Sequence, residues 1–160
     1  WTHGDFVALT ERGGGRSARI LGRSDGVLNI RGVRIGPAEL YAILEDVPEV
    51  VESLAIDQPW PRAIGGRRLV LLVVIREGLE LDRPLTLRMK KALKQRGSMN
   101  HVPAVIKRVA ELPRTLTGKR SERAAADTLA RRPVRNLAAL ANPQCLDALR
   151  DDAELLPDEP

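Results

Sequence analysis

The chain has 160 residues, 43% of them hydrophobic, enough to bury a core and too many for a disordered chain. Its formal charge is +5, and because five acids follow Arg150, residues 1–150 carry +10, a field that attracts anions such as nucleotides, coenzyme phosphates or nucleic acid. The lone Cys145 excludes an internal disulfide and a multi-cysteine zinc site, and two histidines are too few for a metal cluster. Only Trp1, Phe6, Tyr41 and Trp60 are aromatic, so the core must be aliphatic and stacking platforms for single-stranded nucleic acid are scarce. The longest apolar run, 69–75, is too short to span a membrane.

Residues 5–10 and 17–21 read as two strands around a turn containing three consecutive glycines, Gly13 to Gly15. Residues 26–31 alternate apolar and polar, as in a half-buried strand. Gly32 and Gly36 bracket Val33-Arg34-Ile35, which reads as a tight, permissive loop. Pro37 suits the first turn of a helix, Leu40, Ile43, Leu44 and Val47 follow at helical spacing, and Pro48 stops the run. A strand is expected at 50–56 and a loop at 58–67. Residues 69–75 are β-rich and apolar on both faces, which places them in the middle of a sheet. Residues 84–95 present Leu85, Met89, Ala92 and Leu93 on one helical face. A strand at 104–109, a polar loop at 113–119, and helices at 122–132 and 137–150 complete the reading. The acidic end, 151–160, is expected to fray. The fold class is therefore α+β: an N-terminal β-hairpin, a small mixed domain with a three-stranded sheet and packed helices, and a helical extension.

Two segments carry chemistry. The first runs from Gly22-Arg23-Ser24-Asp25 through Asn29 to Glu39; alone it is a charged turn between strands. The second, Pro113-Arg114-Thr115-Leu116-Thr117-Gly118-Lys119, places an ammonium after small hydroxyl residues, where it can reach a phosphate or carboxylate. It is not a P-loop, since Pro113 stands where the first glycine belongs and Arg120 follows the lysine. With His3-Gly4-Asp5 ahead of them, the two segments in this order resemble the C-terminal part of the adenylate-forming acyl-CoA synthetase superfamily. The opening Trp1 to Phe6, with 133–136 and 139–143, resembles the branch that activates acetoacetate. The likeness covers about residues 1–150.

The resemblance implies roles by position. Asp5 would accept hydrogen bonds from the ribose hydroxyls of ATP, and Arg23 would help hold that ribose and the nearby phosphate. Asp25 would be the hinge between a large N-terminal AMP-binding domain and a mobile C-terminal one. Gly32 would line the pantetheine tunnel, Arg34 would meet coenzyme A, and Lys94 would face the coenzyme's nucleotide. Lys119 would be the adenylation lysine, and a target for a protein lysine acetyltransferase, since the lysine of this loop is acylated in related synthetases. A compact ammonium on a flexible stem suits a reaction in which carboxylate oxygen attacks the α-phosphorus and pyrophosphate leaves. The lysine must then withdraw and the thiol enter, which suits domain rotation about a few residues.

The implied domains are 1–24, the end of the N-terminal domain; 25–132, the mobile domain; and 133–160, an extension with an acidic tail. ATP/AMP and coenzyme A are the implied substrates, with Mg2+ expected but without identifiable ligands in this chain. The implied activity is acetoacetate activation; alternatives are a synthetase for acetate or propionate, or a free-standing basic module binding RNA or protein. Leu116 and the alanine-rich run after Arg120 depart from the family pattern without touching a reactive group. The chain lacks an initiator Met and any leader-like opening, so a portion of a longer, cytoplasmic enzyme is expected, bound to neither nucleic acid nor membrane.

Overall fold

The structure is a computed structural model that describes residues 5–12, 15–23, 26–135 and 137–155, with residues 5–23 described by their backbone. Strands β1 (Asp5–Arg12) and β2 (Gly15–Arg23) pair antiparallel. A second hairpin joins β3 (Leu28–Ile30) to β4 (Val33–Ile35). Its two central residues, Arg31 and Gly32, have φ of 54° and 81°, the positive values that a two-residue turn needs to follow the twist of its strands. Residues 33–35 are thus a strand rather than the loop expected from the flanking glycines.

Helix α1 (Pro37–Leu44) buries Leu40, Ile43 and Leu44. Strands β5 (Val50–Pro59), β6 (Arg67–Ile75) and β7 (Val105–Arg108) form a three-stranded sheet with β6 in the middle, antiparallel to β5 and parallel to β7. Helix α2 (Arg83–Arg96) makes the crossover that a parallel pair requires. Its N-cap is Asp82, whose Oδ1 accepts the Leu85 N–H at 2.8 Å. Helices α3 (Glu122–Leu129) and α4 (Asp147–Arg150) follow.

Period-two alternation along β6 divides the core in two. Leu69, Leu71, Val73 and Ile75 pack with α1, α2 and the β3–β4 hairpin; Val70 and Leu72 pack with Ala124, Ala125 and Leu129 of α3 and with Leu140, Leu146, Leu149 and Leu155. Burial on both faces explains why 69–75 reads as an unbroken apolar run.

The stretch 137–150 is not one helix. It is two 3-10 turns, Leu137–Ala139 and Pro143–Leu146, followed by α4. Pro143 lacks an N–H to continue a helix, and residues 139–141 are occupied in backbone pairing with the 113–119 segment. The acidic end does not fray through residue 155. Buried Gln58 donates from Nε2 to the carbonyls of Leu129 (3.3 Å) and Leu155 (2.6 Å), and Arg68 donates to those of Glu154 and Leu155. Lys107 pairs with Asp152 at 2.7 Å and Glu154 at 3.1 Å. Residues 156–160 lie outside the described residues.

Candidate functional site

Lys119 sits at the end of a tight hairpin rather than a loose loop. Arg114 and Arg120 form its base as an antiparallel bridge. The Thr115 N–H donates to the Lys119 carbonyl at 2.8 Å, and the Gly118 N–H donates to the Thr115 carbonyl at 2.8 Å. Gly118 takes φ of 80° to close the turn, a conformation that disfavours residues bearing Cβ. Thr115 Oγ1 accepts the Lys119 N–H at 3.2 Å and shares a hydrogen bond with Thr117 Oγ1 at 3.0 Å. The lysine backbone is therefore held twice by Thr115, while its side chain is exposed. Among the described residues, no acid forms an ion pair with the Lys119 ammonium.

Both arginines of the hairpin base reach β5. Arg114 forms an ion pair with Glu52 through Nη2, and its Nη1 donates to the Gly118 carbonyl at 2.8 Å. Arg120 Nη1 donates to the Ser53 carbonyl at 2.9 Å, and its guanidinium lies 4.9 Å from the Tyr41 ring centroid. The Tyr41 hydroxyl accepts the Ala55 N–H at 3.1 Å and donates to Glu122 Oε1 at 3.4 Å. Burial, reinforced by the Glu122 charge, holds this phenol well above its ordinary range.

The residues expected to meet coenzyme A lie elsewhere. Gly32 is in the β3–β4 turn and Arg34 is exposed on β4, opposite Asn29. Lys94 is exposed in the last turn of α2. Both elements pack into the core on the α1/α2 face of the sheet, whereas Leu112 and Leu140, which anchor the lysine hairpin, belong to the opposite core. Asp5 and Arg23 are register partners at the open end of β1–β2; Asp25 lies outside the described residues.

Sequence reasoning missed the supports of the lysine hairpin: Arg114, and Asn142 from the following segment. The Asn-Pro pair at 142–143 marks a turn, but nothing in its spacing points to residue 114. An open groove of about 890 Å³ between α1, β5 and α3 is lined by Gly26, Tyr41, Asp57, Arg120, Glu122 and Arg132 among others, and by none of Gly32, Arg34, Lys94 or Lys119. Among the described residues, no three His, Cys, Asp or Glu side chains gather to hold a metal ion, and no helix is long and apolar enough to cross a membrane.

No family model matches the chain. It is 45% identical over 155 residues to acetoacetyl-coenzyme A synthetase of Rhizobium meliloti (strain 1021), covering 97% of this chain and 23% of that protein. The Xenopus tropicalis acetoacetyl-CoA synthetase is 37% identical over 155 residues, covering 97% and 22%. Among solved structures, acetoacetyl-CoA synthetase from Streptomyces lividans superposes with a TM-score of 0.76 at 34% identity, over 94% of this chain and 22% of that one. Sequence and fold both match a C-terminal portion of the AMP-binding acyl-CoA synthetases. ATP-bound MatB from Rhodopseudomonas palustris also superposes, with a TM-score of 0.67 at 25% identity over 80% of this chain and 24% of that one. The chain thus spans under a quarter of the length of the synthetases it matches.

Proposed function

We propose that these residues are the C-terminal portion of an AMP-forming acetoacetate–CoA ligase. ATP and acetoacetate give acetoacetyl-AMP and pyrophosphate, and coenzyme A then displaces AMP to give acetoacetyl-CoA. Residues 1–24 end an N-terminal AMP-binding domain that supplies the rest of the active site, residues 25–132 are the mobile domain, and 133–160 are its extension. The setting is cytoplasmic. The 45% identity to an acetoacetyl-CoA synthetase supports the acyl substrate.

The observation that carries the mechanism is the separation of Lys119 from Gly32 and Arg34, whose elements pack on opposite faces of one sheet. A domain that turns between two orientations presents each in turn to the same acyl group. In the adenylating orientation, the Lys119 ammonium meets charge building on the carboxylate and α-phosphate oxygens. Rotation about Asp25 withdraws it and brings the β3–β4 hairpin forward. Gly32 then leaves room for the pantetheine arm, and Arg34 and Lys94 face the anionic coenzyme. Asp5 and Arg23 hold the ribose. Mg2+ would accompany ATP as the counter-ion of its phosphates. Lys119 stands exposed, so a lysine acetyltransferase can reach it and remove its charge.

Pyrophosphate exchange into ATP by the full-length enzyme tests this reading. Exchange should depend on acetoacetate and be at least tenfold weaker with acetate or propionate. Equal exchange with all three acids would leave the ligase reading standing and dismiss the acyl assignment. No acid-dependent exchange would dismiss both.

A further inference from the structure

We propose that Asn142 is a positioning residue for Lys119, so that the segment after α3 sets the geometry of adenylation without touching substrate. The inference rests on the reading of Lys119 as the adenylation lysine. The lysine hairpin is two-stranded by its own residues, and its outer edge, 114–116, would be left bare. Residues 139–141 cover that edge: the Leu116 N–H donates to the Ala139 carbonyl at 2.9 Å, Thr115 bridges Leu140, and the Ala141 N–H donates to the Arg114 carbonyl at 2.8 Å. The result is a three-stranded patch whose middle strand is 114–116, flanked by the lysine strand on one side and the brace on the other.

Asn142 locks the end of this patch. Its Oδ1 accepts the Arg114 N–H at 2.8 Å, and its Nδ2 donates to the Leu112 carbonyl at 3.0 Å and to Glu111 Oε2 at 2.7 Å. Both ends of the amide are thus committed to the strand leading into the hairpin. Glu111 is shared with Gln144 at 3.3 Å, which ties in the next turn. Leu140 is buried in the core, so the brace is anchored to the sheet and not merely laid on the hairpin. Arg114, held by Asn142 through its N–H, in turn holds the Gly118 carbonyl next to Lys119. A chain of contacts therefore runs from Asn142 through Arg114 to the peptide before the lysine. Displacement of a reacting group by ~1 Å can cost roughly a hundredfold in rate, so losing this lock should show in catalysis before it shows in folding.

Half-reactions of the full-length enzyme test the proposal. Asn142→Ala should lower kcat for adenylation by about ten- to a hundredfold, leave KM for ATP within about twofold, and leave thioester formation from supplied acyl-adenylate unchanged, because Lys119 has withdrawn by then. Hydrogen exchange at the Arg114 amide should accelerate while exchange in β6 stays slow. Asn142→Asp sets a carboxylate against Glu111 and should also impair adenylation. Adding Glu111→Gln swaps carboxylate and amide and should restore part of the loss, which guards against a variant that fails by misfolding. Equal decline of both half-reactions, or no rescue by the double variant, would overturn the positioning role. Lys119→Ala is run alongside. If it is inactive in adenylation while Asn142→Ala adenylates at the wild-type rate, the brace alone is wrong. If Lys119→Ala adenylates normally, the reading of the lysine falls and this proposal falls with it.

Discussion

Asp5 and Arg23 stand opposite one another on the β1–β2 ladder, eighteen positions apart in sequence and register partners in the fold. A hairpin brings together two residues that sequence reasoning assigned to one ribose. The ladder is irregular between Phe6 and Val7, one rung further in, the kind of feature that re-aims residues near the end of a strand pair.

Residues that act on one ligand from one rung should not behave independently. Asp5→Ala and Arg23→Ala in the full-length enzyme should each raise KM for ATP by about tenfold. The double variant should show less than the product of the two, with a coupling of about 0.5–3 kcal/mol. Steady-state kinetics at fixed coenzyme A checks this. Strict additivity would separate the two residues.

The tail is held by a buried amide more than by its surface charges. Gln58, 1% exposed, bonds Leu129 and Leu155 and accepts from Arg68 Nε at 2.7 Å. Gln58→Leu removes the donor to the Leu129 carbonyl and the acceptor of Arg68 Nε, and leaves the Leu155 carbonyl with Arg68 Nη2; it should destabilise the chain by about 1–3 kcal/mol. Lys107→Ala removes partly exposed ion pairs and should cost less than about 1 kcal/mol. Urea unfolding of both variants orders the two effects, and the reverse order would refute the assignment.

Tyr41 gives a pH dependence with a definite sign. Its folded-state pKa lies above the ordinary value of about 10, so the native state retains the proton longer than the unfolded one. This contribution to stability is complete below pH ~10 and is lost as pH rises through the raised folded value. Tyr41 is the only tyrosine, so phenolate absorbance reads it alone. The folded chain should show no phenolate until well above pH 10, and in Tyr41→Phe stability should decline less steeply over that range. Titration of the folded chain at the ordinary phenol pH would contradict the burial argument.

Gly32 separates tunnel from turn. A Cβ at Gly32 would meet nothing within 4 Å in this structure, yet its φ of 81° strains any side chain. Gly66 has the same two properties and no assigned role, so it serves as the control. Gly32→Leu should keep adenylation and lose thioester formation by tenfold or more, while Gly66→Leu should keep both. Parallel loss in the two variants would point to turn strain alone.

What was legible in the sequence follows from which signals are local. β6 reads as a central strand because both of its faces are buried, and α2 reads as a helix because Leu85, Met89 and Leu93 share one face. β4 is hidden in the sequence because its turn uses Arg31 at φ 54°, a conformation unusual for arginine, so the flanking glycines read as a loop. Helical spacing at 137–150 misled because Ala139 to Ala141 are taken by pairing with residues 114–116, a contact that no local pattern encodes. The motif proposes Lys119 as a site residue; its restraint by Arg114 and Asn142 is not legible there, since those partners meet only in the fold.

The central claim is that Lys119 serves the first half-reaction and not the second. Its most direct test is Lys119→Ala in the full-length enzyme, with pyrophosphate exchange and thioester formation from supplied acetoacetyl-AMP measured on the same preparation. Removing a transition-state charge contact of this kind should cost adenylation at least a hundredfold, while thioester formation stays within about twofold of wild type. Equal loss in both half-reactions, or adenylation at the wild-type rate, would contradict it.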